Sequence, residues 1–145
     1  MYRHLLITVD GSPLSDSVFQ RSIVFAKEMN AAVTVLRAIP EDHLLVYQAE
    51  MLGTAQGYHT DQARKNAQAY LDGLEAQARN ALVPCSCMVA VNDHPHAAIV
   101  DAAKAQGCDL IIMGSHGRHG MTGFLLGSET QRVLAQTKLP VLVLR

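Results

Sequence analysis

Residues 109–137 read DLIIMGSHGRHGMTGFLLGSETQRVLAQT. DLIIM (109–113) is a short apolar run of the kind that forms a buried strand, and SETQRVLAQT (128–137) carries a helical pattern. Between them stand five glycines: Gly114, Gly117, Gly120, Gly123 and Gly127. A strand that leads into a helix through a loop is the repeating unit of a parallel sheet. The glycines pose a choice. The loop is either a cradle for a phosphate group or a flexible connection between two buried elements.

The same alternation extends along the chain in both directions. RHLLITV (3–9) is an apolar strand that ends in Asp-Gly-Ser-Pro, where Ser12 serves as N-cap and Pro13 as first residue of a helix over 13–29. Val18, Phe25, Ala26 and Met29 form the expected apolar stripe of that helix. AAVTVLRAI (31–39) is the second strand, stopped by Pro40. Residues 40–57 have weak periodicity and read as a mobile loop with a short helical piece. From 58 to 81, Ala67, Tyr70, Leu71, Leu74 and Ala78 repeat at three and four, which marks a long amphipathic helix. VPCSCMVAV (83–91) is the third strand. Pro95 opens a helix to about residue 106, with Gly107 at its C-terminal turn. DLIIM is the fourth strand and LPVLVL (139–144) the fifth. Strands separated by helices predict one α/β domain over residues 1–145, a five-stranded parallel sheet covered on both faces.

Composition narrows the function classes. Of 145 residues, 49% are hydrophobic and 17% charged, which excludes a disordered chain. The net charge is −1 and no basic block occurs, so non-specific DNA or RNA binding through clustered Lys and Arg is not expected. The N-terminal apolar run is too short for a signal peptide, and no run reaches the roughly 20 residues that cross a bilayer. A soluble cytoplasmic protein is the expectation. Cys85, Cys87 and Cys108 have no metal-finger or redox spacing and are read as packing residues.

The glycine loop has the parts of an anion site. Gly114 directly follows strand four and Asp10 directly follows strand one. If these strands are neighbours, both loops flank one crevice at the carboxyl end of the sheet. Gly114 and Gly117 permit close approach and positive φ. Gly127 and Ser128 precede a helix whose first N–H groups lack intrahelical partners and whose dipole favours an anion. The Ser128 hydroxyl can donate to phosphate, or it can cap its own helix. The order is not that of a P-loop, which needs a Lys after its glycines, nor of the dinucleotide fingerprint, which follows the first strand.

With VDGS after strand one, GSHGRHG, LLGSET and the terminal PVLVL all in order, the sequence resembles the universal stress protein family over essentially its whole length. ATP-binding members of that family carry Gly-x2-Gly-x9-Gly-Ser/Thr. Here that motif is complete as Gly114, Gly117, Gly127 and Ser128. The resemblance implies an adenine nucleotide alpha hydrolase-like fold of strand order 3-2-1-4-5, a homodimer paired through the last strand, and ATP, with or without Mg²⁺, as ligand. Position by position, it places Thr8, Val9 and Asp10 against the nucleoside and the backbone of Ala38 at adenine. Met113, Gly114 and Gly117 fall at the ribose and α-phosphate. Gly127, Ser128, Glu129 and Thr130 fall at the outer phosphates. Glu129 departs from the small or apolar residue that members often carry there. Its charge would repel a triphosphate unless its side chain points away or a divalent metal intervenes.

Other residues were weighed for chemistry. Arg118 can screen phosphate charge or be a solvated loop residue, as His116 and His119 beside it read. His94 and His96 flank Pro95, too few ligands for zinc, so His94 reads as a helix-entry residue. Ser12 and Ser15 lack a nucleophile elbow. Asp10 can accept from ribose or face Mg²⁺ through water. Phosphate donors without an evident general base favour a nucleotide-binding regulator of the stress response, with little or slow hydrolysis, acting on an unknown protein partner. A slow ATPase or nucleotide-activating enzyme is one alternative, and a nucleotide-independent dimeric scaffold another. The uncovered strand 140–145 suits pairing with a second copy across a two-fold axis, unless it is interior or simply short.

Overall fold

A computed structural model of the chain describes residues 1–41, 57–117 and 125–145, with 57–60 described for the backbone alone. Most of the segment 40–57, and Arg118, His119, Gly120 and Gly123, lie outside the described residues. The element order is β1 (His4–Thr8), α1 (Pro13–Met29), β2 (Ala32–Ile39), α2 (Gly57–Asn80), β3 (Cys85–Val91), α3 (Pro95–Ala105), β4 (Leu110–Gly114), α4 (Ser128–Gln136) and β5 (Val141–Leu144). The five strands form one sheet of order β3-β2-β1-β4-β5, with every neighbouring pair parallel. This is the order implied by the family resemblance.

The two central strands are apolar throughout because both of their faces are covered. Leu5, Leu6 and Ile7 of β1 and Ile111 and Ile112 of β4 have no solvent exposure at all. Alternate residues feed opposite cores. Leu5 and Ile7 pack with Val18, Phe19 and Ile23 of α1 and Leu71 and Leu74 of α2. Leu6 and Ile111 pack with Ile99 and Ala102 of α3 and Val133 of α4. The first two crossovers thus lie on one face and the last two on the other. The change of face separates the loops after β1 and β4 and leaves a crevice between them.

The α1 stripe differs from the one expected. Its buried residues are Ser15, Val18, Phe19, Ser22, Ile23 and Ala26, while Phe25 and Met29 sit on the flank, partly buried. Two serines on the buried face hid the true stripe. Both are satisfied internally, Ser22 by donating to the Val18 carbonyl at 2.6 Å and Ser15 by accepting from the Asp10 N–H at 3.0 Å. Ser12 caps α1 as expected, accepting from the Ser15 N–H at 3.2 Å. Gly107 follows α3 at φ +67°, the left-handed turn anticipated for it. Cys108 is buried, while Cys85 and Cys87 on the edge strand β3 are only partly so. Among the described residues no helix is long and apolar enough to cross a membrane.

Asp109 holds the lower end of the sheet in register. Its carboxylate accepts from the Arg3 N–H at 2.8 Å and the His4 N–H at 3.1 Å, pinning β1 to the start of β4. Burial alone would raise this carboxyl, but the backbone donors outweigh it and hold it below the usual carboxylate range. A depressed folded value means that the stabilisation is present above the ordinary carboxylate pKa and is lost as the pH falls through the folded value. Asp109→Ala is expected to cost about 1–2 kcal/mol at pH 7. The loss should shrink in denaturant titrations repeated at progressively lower pH below about 4, where the unaltered chain also forfeits the interaction.

Candidate functional site

A cavity of about 380 Å³ opens at the carboxyl ends of β1, β2 and β4, against the first turns of α3 and α4. Val9, Leu36, Ile99 and Met113 give it an apolar floor, while Asp10, Ser15, His116, Ser128 and Glu129 contribute polar groups. Ten of the twelve residues expected at a ligand site line it: Thr8, Val9, Asp10, Ala38, Met113, Gly114, Gly117, Gly127, Ser128 and Glu129. Arg118 lies outside the described residues. Thr130 is only 2% exposed and stands behind the wall, where its hydroxyl donates to the Gly114 carbonyl at 2.9 Å. Its role is to tie the start of α4 to the end of β4.

The first wall is the turn after β1. Gly11 adopts φ +80°, which is what the turn needs glycine for; a Cβ there would meet the Arg37 guanidinium at 2.8 Å, the movable end of a side chain. Asp10 steadies it, with Oδ1 accepting from the Ser12 N–H at 2.9 Å. The other oxygen, Oδ2, reaches across the crevice toward Gly117, 3.4 Å from where a Cβ would stand. Strands one and four are adjacent, so the two loops do share one crevice.

The motif glycines have different reasons to be glycine. Neither Gly114 nor Gly117 uses the left-handed backbone that the sequence suggested; among the described glycines, that conformation belongs to Gly11 and Gly107. Gly127 has ordinary extended geometry at φ −60° and ψ 155°. Its constraint is contact: its N–H donates to the Ser115 carbonyl at 2.7 Å, and a Cβ would lie 3.0 Å from the His116 Cα. Gly117 has no such neighbour. Among the described residues only the Asp10 carboxylate comes within 4 Å of its would-be Cβ, so none of them requires glycine there.

The second wall is the start of α4. Gly127 occupies the N-cap and supplies no side-chain cap. Ser128 is the first helical residue, so the alternative in which it caps its own helix is not what is found. Its side chain is exposed and borders the cavity. The first backbone donors of α4 are therefore free of side-chain acceptors at the N-cap, which is the arrangement that receives anions.

Glu129 is held on three sides. Its Oε2 accepts from both the backbone N–H of His96 at 2.8 Å and the His96 Nδ1 at 2.9 Å, and its Oε1 accepts from Arg132 at 2.9 Å. Partial burial would raise the carboxyl, but the His96 side-chain and backbone bonds, with help from Arg132, keep it below the usual carboxylate range. The side chain still borders the cavity. His94 enters α3 as its N-cap, and its ring lies 5.7 Å from that of His96, centroid to centroid. Among the described residues no group of three or more His, Cys, Asp or Glu is arranged to hold a metal ion.

Five lining residues escaped the sequence reading: Ser15, Leu36, Pro95, Ile99 and His116. Leu36 sits beside Thr8 in the β1–β2 register, so knowing the strand order would have placed it. Ser15 was visible as a polar residue one turn after the first strand. Pro95 and Ile99 depend on which face α3 covers, and no local signal carries that. His116 lies inside the motif itself, with Nδ1 at 3.2 Å from the Ser115 hydroxyl.

Comparison with known proteins agrees with this geometry. The description of the universal stress protein family matches residues 1–145. Universal stress protein YxiE of Bacillus subtilis (strain 168) is 26% identical over 149 residues, covering 100% of each chain. The solved structure of MJ0577, a universal stress protein of Methanocaldococcus jannaschii, superposes with a TM-score of 0.85 at 25% identity, covering 99% of this chain and 96% of that one. A universal stress protein of Archaeoglobus fulgidus, solved in complex with dAMP, has a TM-score of 0.67 at 18% identity, with 99% and 98% coverage. The chain described above, from its strand order to its glycine motif, belongs to the universal stress protein family.

Proposed function

We propose that this chain binds an adenine nucleotide in the crevice between β1 and β4, with ATP and Mg²⁺ as the working ligand. It acts as a nucleotide-dependent regulator in the stress response, with little or slow hydrolysis. The observation that carries the reading is the convergence of three unlike features on one cavity: an apolar floor, a glycine at 117 whose would-be Cβ meets, among the described residues, only the Asp10 carboxylate, and an uncapped helix start beside the exposed Ser128. Adenine stacks near Val9 and Ala38. Ribose and the α-phosphate lie by Asp10, Met113, Gly114 and Gly117, and the outer phosphates lie by Gly127 and Ser128. Thr130 contributes its backbone N–H from behind. Arg118 screens the phosphate chain, and Mg²⁺ is held through water by Asp10.

The titratable groups around the cavity favour binding over turnover. One Asp10 oxygen is bonded to the Ser12 N–H, both Glu129 oxygens are engaged, and His116 Nδ1 faces the Ser115 hydroxyl. Carboxylate oxygens already bonded to the chain are poor general bases, which favours binding over turnover. Regulation then requires that ATP bind two conformational states with different affinity. The chain works as a single cytoplasmic domain and as a homodimer through β5, whose residues are half-exposed along an edge with no strand beyond it among the described residues.

Mass spectrometry of small molecules released from freshly purified protein should find an adenine nucleotide. Ser128→Ala should weaken calorimetric ATP binding about fivefold to tenfold, the worth of one hydrogen bond to a charged group, without lowering the melting temperature. Protein that neither retains nor binds any adenine nucleotide, with or without Mg²⁺, would overturn the proposal.

A further inference from the structure

Glu129 is the one lining residue that places a full negative charge beside the helix start where the phosphate chain would lie. Its position is not adjustable. The bonds from His96 fasten it to α3, and the bond from Arg132 fastens it along α4. Arg132 compensates the charge, but unevenly. The guanidinium stands one turn deeper in α4, 56% exposed, and Arg132 does not line the cavity, whereas Glu129 does. A ligand in the crevice therefore meets the negative end of this ion pair. Asp10 presents a second carboxylate oxygen from the opposite wall.

Phosphate charge decides what such a wall tolerates. A monophosphate carries about two negative charges at neutral pH, and an uncomplexed triphosphate about four. The extra charges sit on the outer phosphates, at the Glu129 end. The first N–H groups of α4 attract every phosphate alike, so they do not offset the difference.

Resting on the adenine-nucleotide reading above, we propose that Glu129 is a specificity-determining residue that makes the site select by phosphate-chain charge. Adenosine monophosphate binds without a divalent cation, and the triphosphate binds well only when Mg²⁺ neutralises part of its charge. His96 and Arg132 are positioning residues that hold Glu129 at the wall.

Isothermal calorimetry of the full chain with AMP and with ATP, each in EDTA and in excess Mg²⁺, tests this. In EDTA, ATP should bind the unaltered chain about tenfold more weakly than AMP, and Mg²⁺ should remove most of that gap. Glu129→Gln keeps the size and deletes the charge, and it gives up one accepted bond, because an amide nitrogen cannot accept as the second carboxylate oxygen does. It should strengthen ATP binding in EDTA about tenfold and AMP binding by a smaller factor of about three. Arg132→Ala leaves the carboxylate uncompensated and should move ATP in the opposite direction, weakening it about fivefold. Opposite signs for the two variants are the signature, because a purely structural disturbance weakens binding in both. ATP and AMP binding equally in EDTA, or both variants shifting affinity the same way, would overturn the selection by charge while leaving nucleotide binding standing. No binding of any adenine nucleotide to any of the three proteins would overturn the underlying reading and this inference together.

Discussion

Gly117→Val is expected to reduce adenine-nucleotide affinity at least about a hundredfold, near 3 kcal/mol, while leaving stability within about 0.5 kcal/mol of the unaltered chain. The reason is the space around Gly117 among the described residues. Among the described residues its would-be Cβ touches only the Asp10 carboxylate, at 3.4 Å, and its backbone is not in the left-handed region. Valine can therefore be accommodated by the folded chain. Its methyl groups would occupy the mouth of the crevice between the β1 and β4 loops, where the ribose and first phosphate are placed. Calorimetry with ATP and a thermal melt of the same sample read the two effects separately. A Gly117→Val protein that binds within threefold of the original would remove Gly117 from the site.

Gly127→Val should behave differently, losing stability as well as binding. A Cβ at this position lies 3.0 Å from the His116 Cα and 3.4 Å from the Ser115 carbonyl oxygen, and neither is the movable end of a side chain. The β4 loop or the start of α4 must shift, breaking the 2.7 Å bond from the Gly127 N–H to Ser115. Overpacking of this kind costs about 1–3 kcal/mol, and the branched side chain places valine at the upper end. For a domain of this size, a melting temperature lower by about 10 °C follows. Gly127→Ala should fall between the two. Equal melting temperatures for the Gly117 and Gly127 valine variants would contradict this division of roles within one motif.

That division could not be read from the spacing of the glycines. Gly114, Gly117 and Gly127 look alike in a sequence, and positive φ is the property glycine most often advertises. The structure assigns all three ordinary backbone, and at Gly127 it places the constraint in contacts with Ser115 and His116, more than ten residues earlier. Glu129 is a similar case. As a letter in a phosphate motif it is a contradiction. Its partner His96 lies 33 residues earlier on another helix, and nothing local to GSET announces it.

The elements themselves were legible. Caps at Ser12, the proline starts at Pro13 and Pro95, the turn at Gly107 and the apolar runs of β1 and β4 are local preferences acting over a few residues, so each could be named from its own neighbourhood. The α1 stripe was misjudged for a matching reason: Ser15 and Ser22 look polar in isolation and are buried only because nearby backbone groups satisfy them.

Local chemistry thus sufficed for which segments become strands and helices and for which residues could receive a phosphate. The crevice needed more. It exists because two crossovers pack on one face of the sheet and two on the other, which makes β1 and β4 neighbours although more than a hundred residues separate them. Whether a glycine makes room for a ligand or for the chain's own backbone, and whether a carboxylate stands loose or is held by an imidazole and a guanidinium, depends on that long-range packing, because both are questions of which atoms meet across segments.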